Sequence, residues 1–365
     1  MIESFGSNTH IDDLDGQIST MRNSLKADRL DMSFGEVIAT YERGELIINP
    51  EFQRLFRWTI NQRTRFLESI LLGIPIPPIF VAEDQRGRWE LVDGLQRIST
   101  ILSFFGELKT SESQQANGWI LEKGDLIPAL GGFNSKTLPN KYLLNIKRAV
   151  CRVEIIKWDS LWDMRYELFS RLNTGGAPLT EQEIRNSIFR SGLTRLYAFV
   201  DEIKHSDSFQ SLVAVSEQRK KKLFDDELII RFLALAHRWK DIDGTIAEYT
   251  TKYMRDMLKN KEDLDARTET LFRRVLALLG PCGSKIFRVK RTFSPSLYDA
   301  IMIATAENLE YFARHPEGLG RAIEMLRKDG TFRELRGGAS SKTRTRVRIS
   351  QAVNIFSKAI AAEKR

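Results

Sequence analysis

Apolar spacing in this chain changes period once, near residue 190, and that change decides what each part can fold into. Upstream, ELIINP from 45, IFVAE from 79, RWELV from 88 and AVCRVEIIKW from 149 are short and rich in β-branched or aromatic residues, and they read as strands between helical runs. Downstream the strand signals fade. DDELIIRFLALAHRW, DARTETLFRRVLALLG, PSLYDAIMIATAENLEYFAR and the C-terminal run carry their apolar residues at helical spacing. The expected architecture is therefore α+β. Residues 1–30 read as a polar, weakly patterned lead-in arm, 31–190 as an α/β domain, and 191–365 as an all-helical domain with a basic C-terminal segment. The 365 residues leave room for two cores, and there is no internal repeat.

Local signals place the boundaries. Ser33 followed by Glu36 has capping-box spacing and starts a short helix that ends near Gly44. Thr59 caps a helix whose apolar positions, Ile60, Phe66, Leu67, Ile70 and Leu71, run to Gly73. The turn DQRG joins IFVAE and RWELV into a hairpin. ELKTSESQQANGWILEKG reads as short strands around a loop, 138–147 as a helix, and SLWDMRYELFSRLN as a helix broken at Thr174-Gly175-Gly176. Thr180 and Glu183 make a second capping box.

Composition excludes several classes. Hydrophobic residues are 42% and charged residues 28%, the balance of a globular chain. No apolar run approaches the roughly 20 residues that span a bilayer, and MIESFGSNTHIDDLDG has neither a basic n-region nor an apolar h-region. A cytoplasmic protein without membrane attachment is the expectation. Cys151 and Cys282 lie far apart and without metal-ligand spacing, so buried thiols are expected. The net charge of +8 is concentrated: from Arg336 onward eight basic residues face only Glu363. That segment points to a polyanion as partner or to a solvated helix face.

The stretch LVDGLQRIST, 91–100, carries the densest chemistry. A strand ends, Gly94 turns the chain, and Leu95, Ile98, Ile101, Leu102 and Phe105 mark one face of a helix. Helix N-termini present unpaired N–H groups to anions, and a glycine lets a ligand approach the backbone. Arg97 in the first turn opposes the helix dipole and so needs a carboxylate or a phosphate. A capped turn and an anion site are both open at this point. Two further polar clusters also stand where an element ends: Gln53-Arg54 with Arg57-Trp58, and Arg171 to Leu179 with Asn173 and Thr174. Converging, the three would supply arginines for phosphates, amides for a base or sugar, and Asp93 for a metal, a water or a ribose.

FQRLFRW, SILLGIPIPPIFV, LVDGLQRISTILSFF and FSRLNTGGAPLTEQEIRNS, in this order over roughly residues 30–190, resemble the signatures of the bacterial DGQQR-motif family. That family includes the N-terminal domain of GmrSD-type modification-dependent restriction enzymes and has a ParB/sulfiredoxin-like core. The motif falls on Asp93, Gly94, Leu95, Gln96 and Arg97, with Leu95 replacing the middle glutamine. The resemblance implies binding of a nucleoside triphosphate with Mg2+, often with hydrolysis, coupled to sensing of phage or modified DNA and conveyed to DNA or an effector protein. Asp93, Gln96 and Arg97 are then the catalytic candidates, with Asp93 at the metal or the attacking water. Gln53, Arg54, Gly94, Arg97, Asn173 and Thr174 are the nucleotide-binding candidates. A purely structural reading instead gives Arg97 a salt bridge to Asp93 or Glu68. Other readings are a sensor or adaptor that binds DNA without turnover, and a metal-dependent nuclease.

Many relatives carry an HNH nuclease domain, but His10, His205, His237 and His315 make no such spacing, so a nuclease is the weaker expectation. For DNA, the candidates are Gln218 to Lys222, KIFRVKR at 285–291, and Lys342, Arg344, Arg346 and Arg348. The last four share one face on a strand but spread around a helix. A homo-oligomer is left open.

Overall fold

The computed structural model describes residues 8–24, 26–48, 56, 58–84, 86–109, 117–158, 166–168, 171, 180–190, 192–336 and 344–363. The chain divides into two compact units, Met1–Pro178 and Leu179–Arg365, and is α+β.

The first unit holds α1 (Asn8–Ser24), β1 (Ala27–Ser33), α2 (Phe34–Glu42), β2 (Leu46–Ile47), α3 (Ile60–Leu71), β3 (Ile79–Glu83), β4 (Trp89–Asp93), α4 (Leu95–Phe105), α5 (Asn140–Arg148) and β5 (Val150–Ile156). The strands form one mixed sheet in the order β1-β5-β3-β4-β2. Central β3 runs parallel to β5 and antiparallel to β4, and its Ile79 and Val81 are buried. The expected hairpin forms, with Asp84 Oδ1 accepting the N–H groups of Arg86 and Arg88 in its turn. Its register shifts between Phe80 and Val81, so Phe80 lies opposite Asp93. A bulge of this kind re-aims the strand where it is about to become a helix.

Ser33 accepts the N–H of Glu36 at the start of α2, and Thr59 makes a full capping box with Gln62 at the start of α3. In α4 the apolar face is Ile98, Ile101, Leu102 and Phe104, while Leu95 and Phe105 are only half-buried. Ser99, Thr100 and Ser103 are buried as well. Thr100 donates to the Gln96 carbonyl, and Ser103 accepts from the Trp119 indole. Small hydroxyls partnered in this way let a helix pack on more than one side.

Two expectations need correction here. Residues 27–30 are not a lead-in arm, because β1 pairs antiparallel with β5 from Ala27↔Ile156 to Ser33↔Val150. As an exposed edge strand, β1 carries charges that bridge to β5, Arg152 with Asp31 and Arg29 with Glu154, so it lacks the alternation of a half-buried strand. The second correction concerns ELKTSESQQANGWILEKG. Its residues 110–116 lie outside the described residues, and 117–124 contain no strand. Leu121 exchanges backbone hydrogen bonds with Phe133 and Gly132, Glu122 donates to the buried Thr64 of α3, and just beyond the segment Glu68 Oε1 accepts from Leu126 and Ile127. Glu68 is therefore committed away from Arg97. Most of SLWDMRYELFSRLN lies outside the described residues.

In the second unit the helices predominate, as the apolar spacing predicts. Thr180 forms its capping box with Glu183 at the head of the helix Glu181–Phe189. KIFRVKR is divided between a 3-10 turn, Ser284–Phe287, and the short strand Arg288–Val289, which pairs with Thr292–Phe293. Arg231 is buried between Glu227 and Asp299, which supply its compensating charge. Among the described residues no helix is long and apolar enough to cross a membrane.

Candidate functional site

The junction of β4 and α4 concentrates the chemistry of the first unit. Gly94 is the N-cap of α4 at φ +99°, a left-handed conformation that glycine adopts without strain. A Cβ at this position would lie 2.5 Å from Ile79 Cγ2. The glycine thus allows close contact with β3, in addition to the ligand approach that the sequence suggested. Having no side chain, it offers no cap to the first-turn N–H groups of α4, which leaves that helix end suited to an anion.

Arg97 meets the demand set by its unfavourable place in the dipole. Its Nη2 donates to Asp93 Oδ2 at 2.8 Å, and its Nη1 donates to the carbonyls of Pro77 and Pro78. One guanidinium therefore fastens the rigid IPIPP segment to the strand-to-helix turn. The Arg97 side chain is 13% exposed and that of Asp93 40%, so the carboxylate is the member that meets solvent. The salt bridge of the structural reading is present. Cys151 is buried close to this cluster, and burial pushes its thiol up to about 11 although the charge of Arg97 pulls the other way. It is a packed thiol, not a nucleophile.

Gln96 ties in the second cluster. Its Oε1 accepts the backbone N–H of Trp58, and the Trp58 carbonyl accepts from Arg63 Nε. The Arg63 guanidinium lies 4.0 Å from the centroid of Phe56 and 5.7 Å from that of Trp119. Burial lowers its pKa. The sequence reading missed Arg63. The available signal was an arginine in the first turn of a capped helix, directly after a loop dense in arginine and aromatic residues.

Asp93, Gly94, Gln96 and Arg97 thus come together, with Phe56 and Trp58 of FQRLFRW beside them. Gln53, Arg54, Asn173 and Thr174 lie outside the described residues. Also among the described residues, no group of three or more His, Cys, Asp or Glu is placed to hold a metal ion. A metal at Asp93 would draw its other ligands from phosphate oxygens and water, a set that suits Mg2+.

The basic C-terminal candidates separate on the helix Arg344–Glu363. Arg344 and Arg346 are exposed. Arg348 is a correction to an exposed basic tail: it is 5% exposed and donates to Thr345 Oγ1 at 2.9 Å, so its guanidinium faces inward. Lys342 lies outside the described residues.

The fold and this junction define an α+β domain with an anion-favouring strand-to-helix turn. More particularly, residues 34–190 match the family model described as the GmrSD restriction endonuclease, N-terminal domain, which is what this part of the chain is similar to. No curated protein and no solved structure matches the chain.

Proposed function

We propose that this chain is a nucleotide-binding component of a bacterial restriction or anti-phage system, with a nucleoside triphosphate and Mg2+ docking at the turn between β4 and α4. The observation that carries this reading is the junction itself, a helix N-terminus without a side-chain cap beside an anchored Arg97 and an accessible Asp93. The family match supports the restriction-system part. First-turn N–H groups of α4 hold a phosphate, and Arg97 lends charge while fixed to the loop carbonyls. Arg63, flanked by Phe56 and Trp119, faces the ligand from α3. Gln53, Arg54, Asn173 and Thr174 complete the contacts to the nucleotide. Bound Mg2+ neutralises phosphate charge, held by Asp93 directly or through water. The helical unit conveys the nucleotide state to DNA or to an effector, through Lys342, Arg344 and Arg346 where the target is DNA.

One observation favours a second reading, a sensor that binds without turnover. Leu95 stands half-buried at the head of α4, where the family motif has an amide able to orient water. A metal-dependent nuclease draws no comparable support from the described residues.

Calorimetric titration with ATP, GTP, CTP and UTP plus Mg2+, and phosphate release from the same samples, tests both readings. Binding with release supports the hydrolase, and binding alone supports the sensor. Failure to bind any of the four rejects the nucleotide reading.

A further inference from the structure

Two basic segments far apart in the sequence meet on one face of the second unit. The first lies between the helices Asp207–Val213 and Phe224–Arg238 and carries Arg219, Lys221 and Lys222. The second is the hairpin of Arg288–Val289 with Thr292–Phe293, whose two-residue loop is Lys290-Arg291. Arg288 ties them together, donating from Nη2 to the carbonyls of Val213 and Ala214. Aromatic rings join them again. The Arg219 guanidinium carbon lies 4.9 Å from the Phe224 ring centroid, and Phe224 meets Phe293, the residue opposite Arg288, at 5.8 Å between centroids.

The charges on this face are left for an outside anion. Among the described residues none of Arg219, Lys221, Lys222, Arg288, Lys290 and Arg291 has a carboxylate within ion-pair distance, whereas neighbouring Lys220 is paired with Glu217. Arg219 Nη1 is buried without a hydrogen-bond partner among those residues, a charged donor whose desolvation is not offset. Backbone strain gathers here as well. Of the four non-glycine residues at positive φ among the described residues, Ala214 and Leu223 bracket the first segment and Lys290 stands at the hairpin tip, with Lys261 on another loop. A two-residue hairpin loop favours glycine, asparagine or aspartate at positive φ, so a lysine held at φ +55° marks a place where the cation has a use. The cations spread over two segments instead of converging on one point, which matches a row of phosphates better than a single small anion. A lipid surface or an acidic protein would call for exposed apolar anchors, and on these segments Ile286, Phe287 and Phe293 are buried while Val289 is the one large apolar side chain exposed, at 37%.

We propose that this face grips the phosphodiester backbone of duplex DNA without regard to base identity, through Arg219, Lys221, Lys222, Arg288, Lys290 and Arg291. The contact uses none of the arginines of the final helix and needs no nucleotide at the turn between β4 and α4.

The test is fluorescence anisotropy of labelled duplexes of about 20 base pairs with the full chain, without nucleotide, over a range of salt concentrations. Log K is expected to fall linearly with log salt, alike for two duplexes of unrelated sequence. Lys290→Gly removes one cation and relaxes the hairpin tip, so affinity should fall about three- to tenfold and the salt slope by about one while the thermal melt holds or rises. Lys221→Ala should lose affinity to a similar degree. Lys261→Gly, the same change at the left-handed lysine on another loop, is the control and should bind as the wild type does. A wild type that does not bind overturns the proposal, as does a marked preference between the two sequences or undiminished binding by Lys290→Gly. An equal loss in Lys261→Gly overturns it too, because overall charge would then explain the effect. Displacement of the duplex by inorganic tripolyphosphate at equal phosphate concentration overturns duplex DNA as the occupant. Nucleotide is absent throughout, so failure here is separate from failure of the nucleotide reading.

Discussion

Gln96 Oε1 accepts the backbone N–H of Trp58 at 3.1 Å, joining two motifs that lie 38 positions apart. The bond fixes Trp58, just ahead of α3, beside the turn at Gly94. Gln96→Leu removes the acceptor and is expected to cost about 1 kcal/mol, with weaker nucleotide binding because Trp58 loses its anchor beside the turn. Gln96→Glu keeps an acceptor and restores most of the stability. Urea unfolding of the three proteins checks this, and a leucine variant as stable as the wild type would show that the bond holds nothing.

Gly94 is constrained twice, by its φ of +99° and by Ile79 Cγ2 2.5 Å from where a Cβ would stand. Alanine there is expected to cost about 1–2 kcal/mol for the left-handed backbone and about 1–3 kcal/mol for the clash. Only the second part is relieved when Ile79 is shortened to alanine. A double-mutant cycle of Gly94→Ala with Ile79→Ala should therefore show a double variant less destabilised than the sum of the single ones. Simple additivity would mean that the backbone conformation alone requires glycine.

Asp93 and Arg97 are expected to separate under substitution. Asp93→Asn removes the carboxylate that competes with a phosphate for the guanidinium, so it should bind inorganic tripolyphosphate more tightly while losing Mg2+-dependent phosphate release. Arg97→Ala leaves the Pro77 and Pro78 carbonyls without their donor and is expected to cost about 2 kcal/mol in addition to anion affinity. Calorimetry with tripolyphosphate, paired with thermal melts, measures both. Weaker anion binding in Asp93→Asn would count against a phosphate at this turn.

Asp225 gives a pH dependence of defined sign. Burial raises its pKa from the ordinary 3.8, a shift opposed by a hydrogen bond from Gln210 and by the charges of Lys220 and Lys204, and its Oδ1 has no hydrogen-bond partner among the described residues. The folded state keeps this proton to higher pH than the unfolded chain does. The stability it contributes is therefore complete below the ordinary carboxylate pKa and is lost as pH rises through the raised value. Asparagine suffers no such loss, so Asp225→Asn should gain on the wild type as pH rises above the ordinary carboxylate value. Chemical denaturation across that range reads the difference, and a constant gap would place the carboxyl in an ordinary environment.

Much of the first unit was legible because its signals are local. IFVAE, RWELV and AVCRVEIIKW have strand composition, and Thr59 has its capping partner three residues on, as Thr180 does at the head of the second unit. The grouping of Asp93, Gly94, Gln96 and Arg97 follows from one strand-to-helix turn. What escaped depends on partners distant in sequence. β1 is a strand because β5 lies beside it, and within 117–124 the N–H groups of Leu121 and Glu122 go to Phe133 and Thr64, partners at a distance in the sequence. Arg63 acquires meaning only from Phe56 and Trp119, and the inward turn of Arg348 depends on how its helix packs.

That inward turn divides the basic tail into arginines with different expected effects. Arg344 and Arg346 are exposed near the start of the final helix, whereas burial lowers the pKa of Arg348 and its guanidinium is spent on Thr345. If this face holds DNA, Arg344→Ala and Arg346→Ala each reduce affinity across sequences and lower the slope of log K against log salt by about one, with melting unchanged for Arg346→Ala. Arg348→Ala acts through the fold instead, with an expected cost of about 1–3 kcal/mol from lost packing and hydrogen bonds. Binding isotherms at several salt concentrations, set beside melts of the same variants, distinguish the two effects. A slope unchanged by both exposed substitutions would move the DNA contact to another face of the protein.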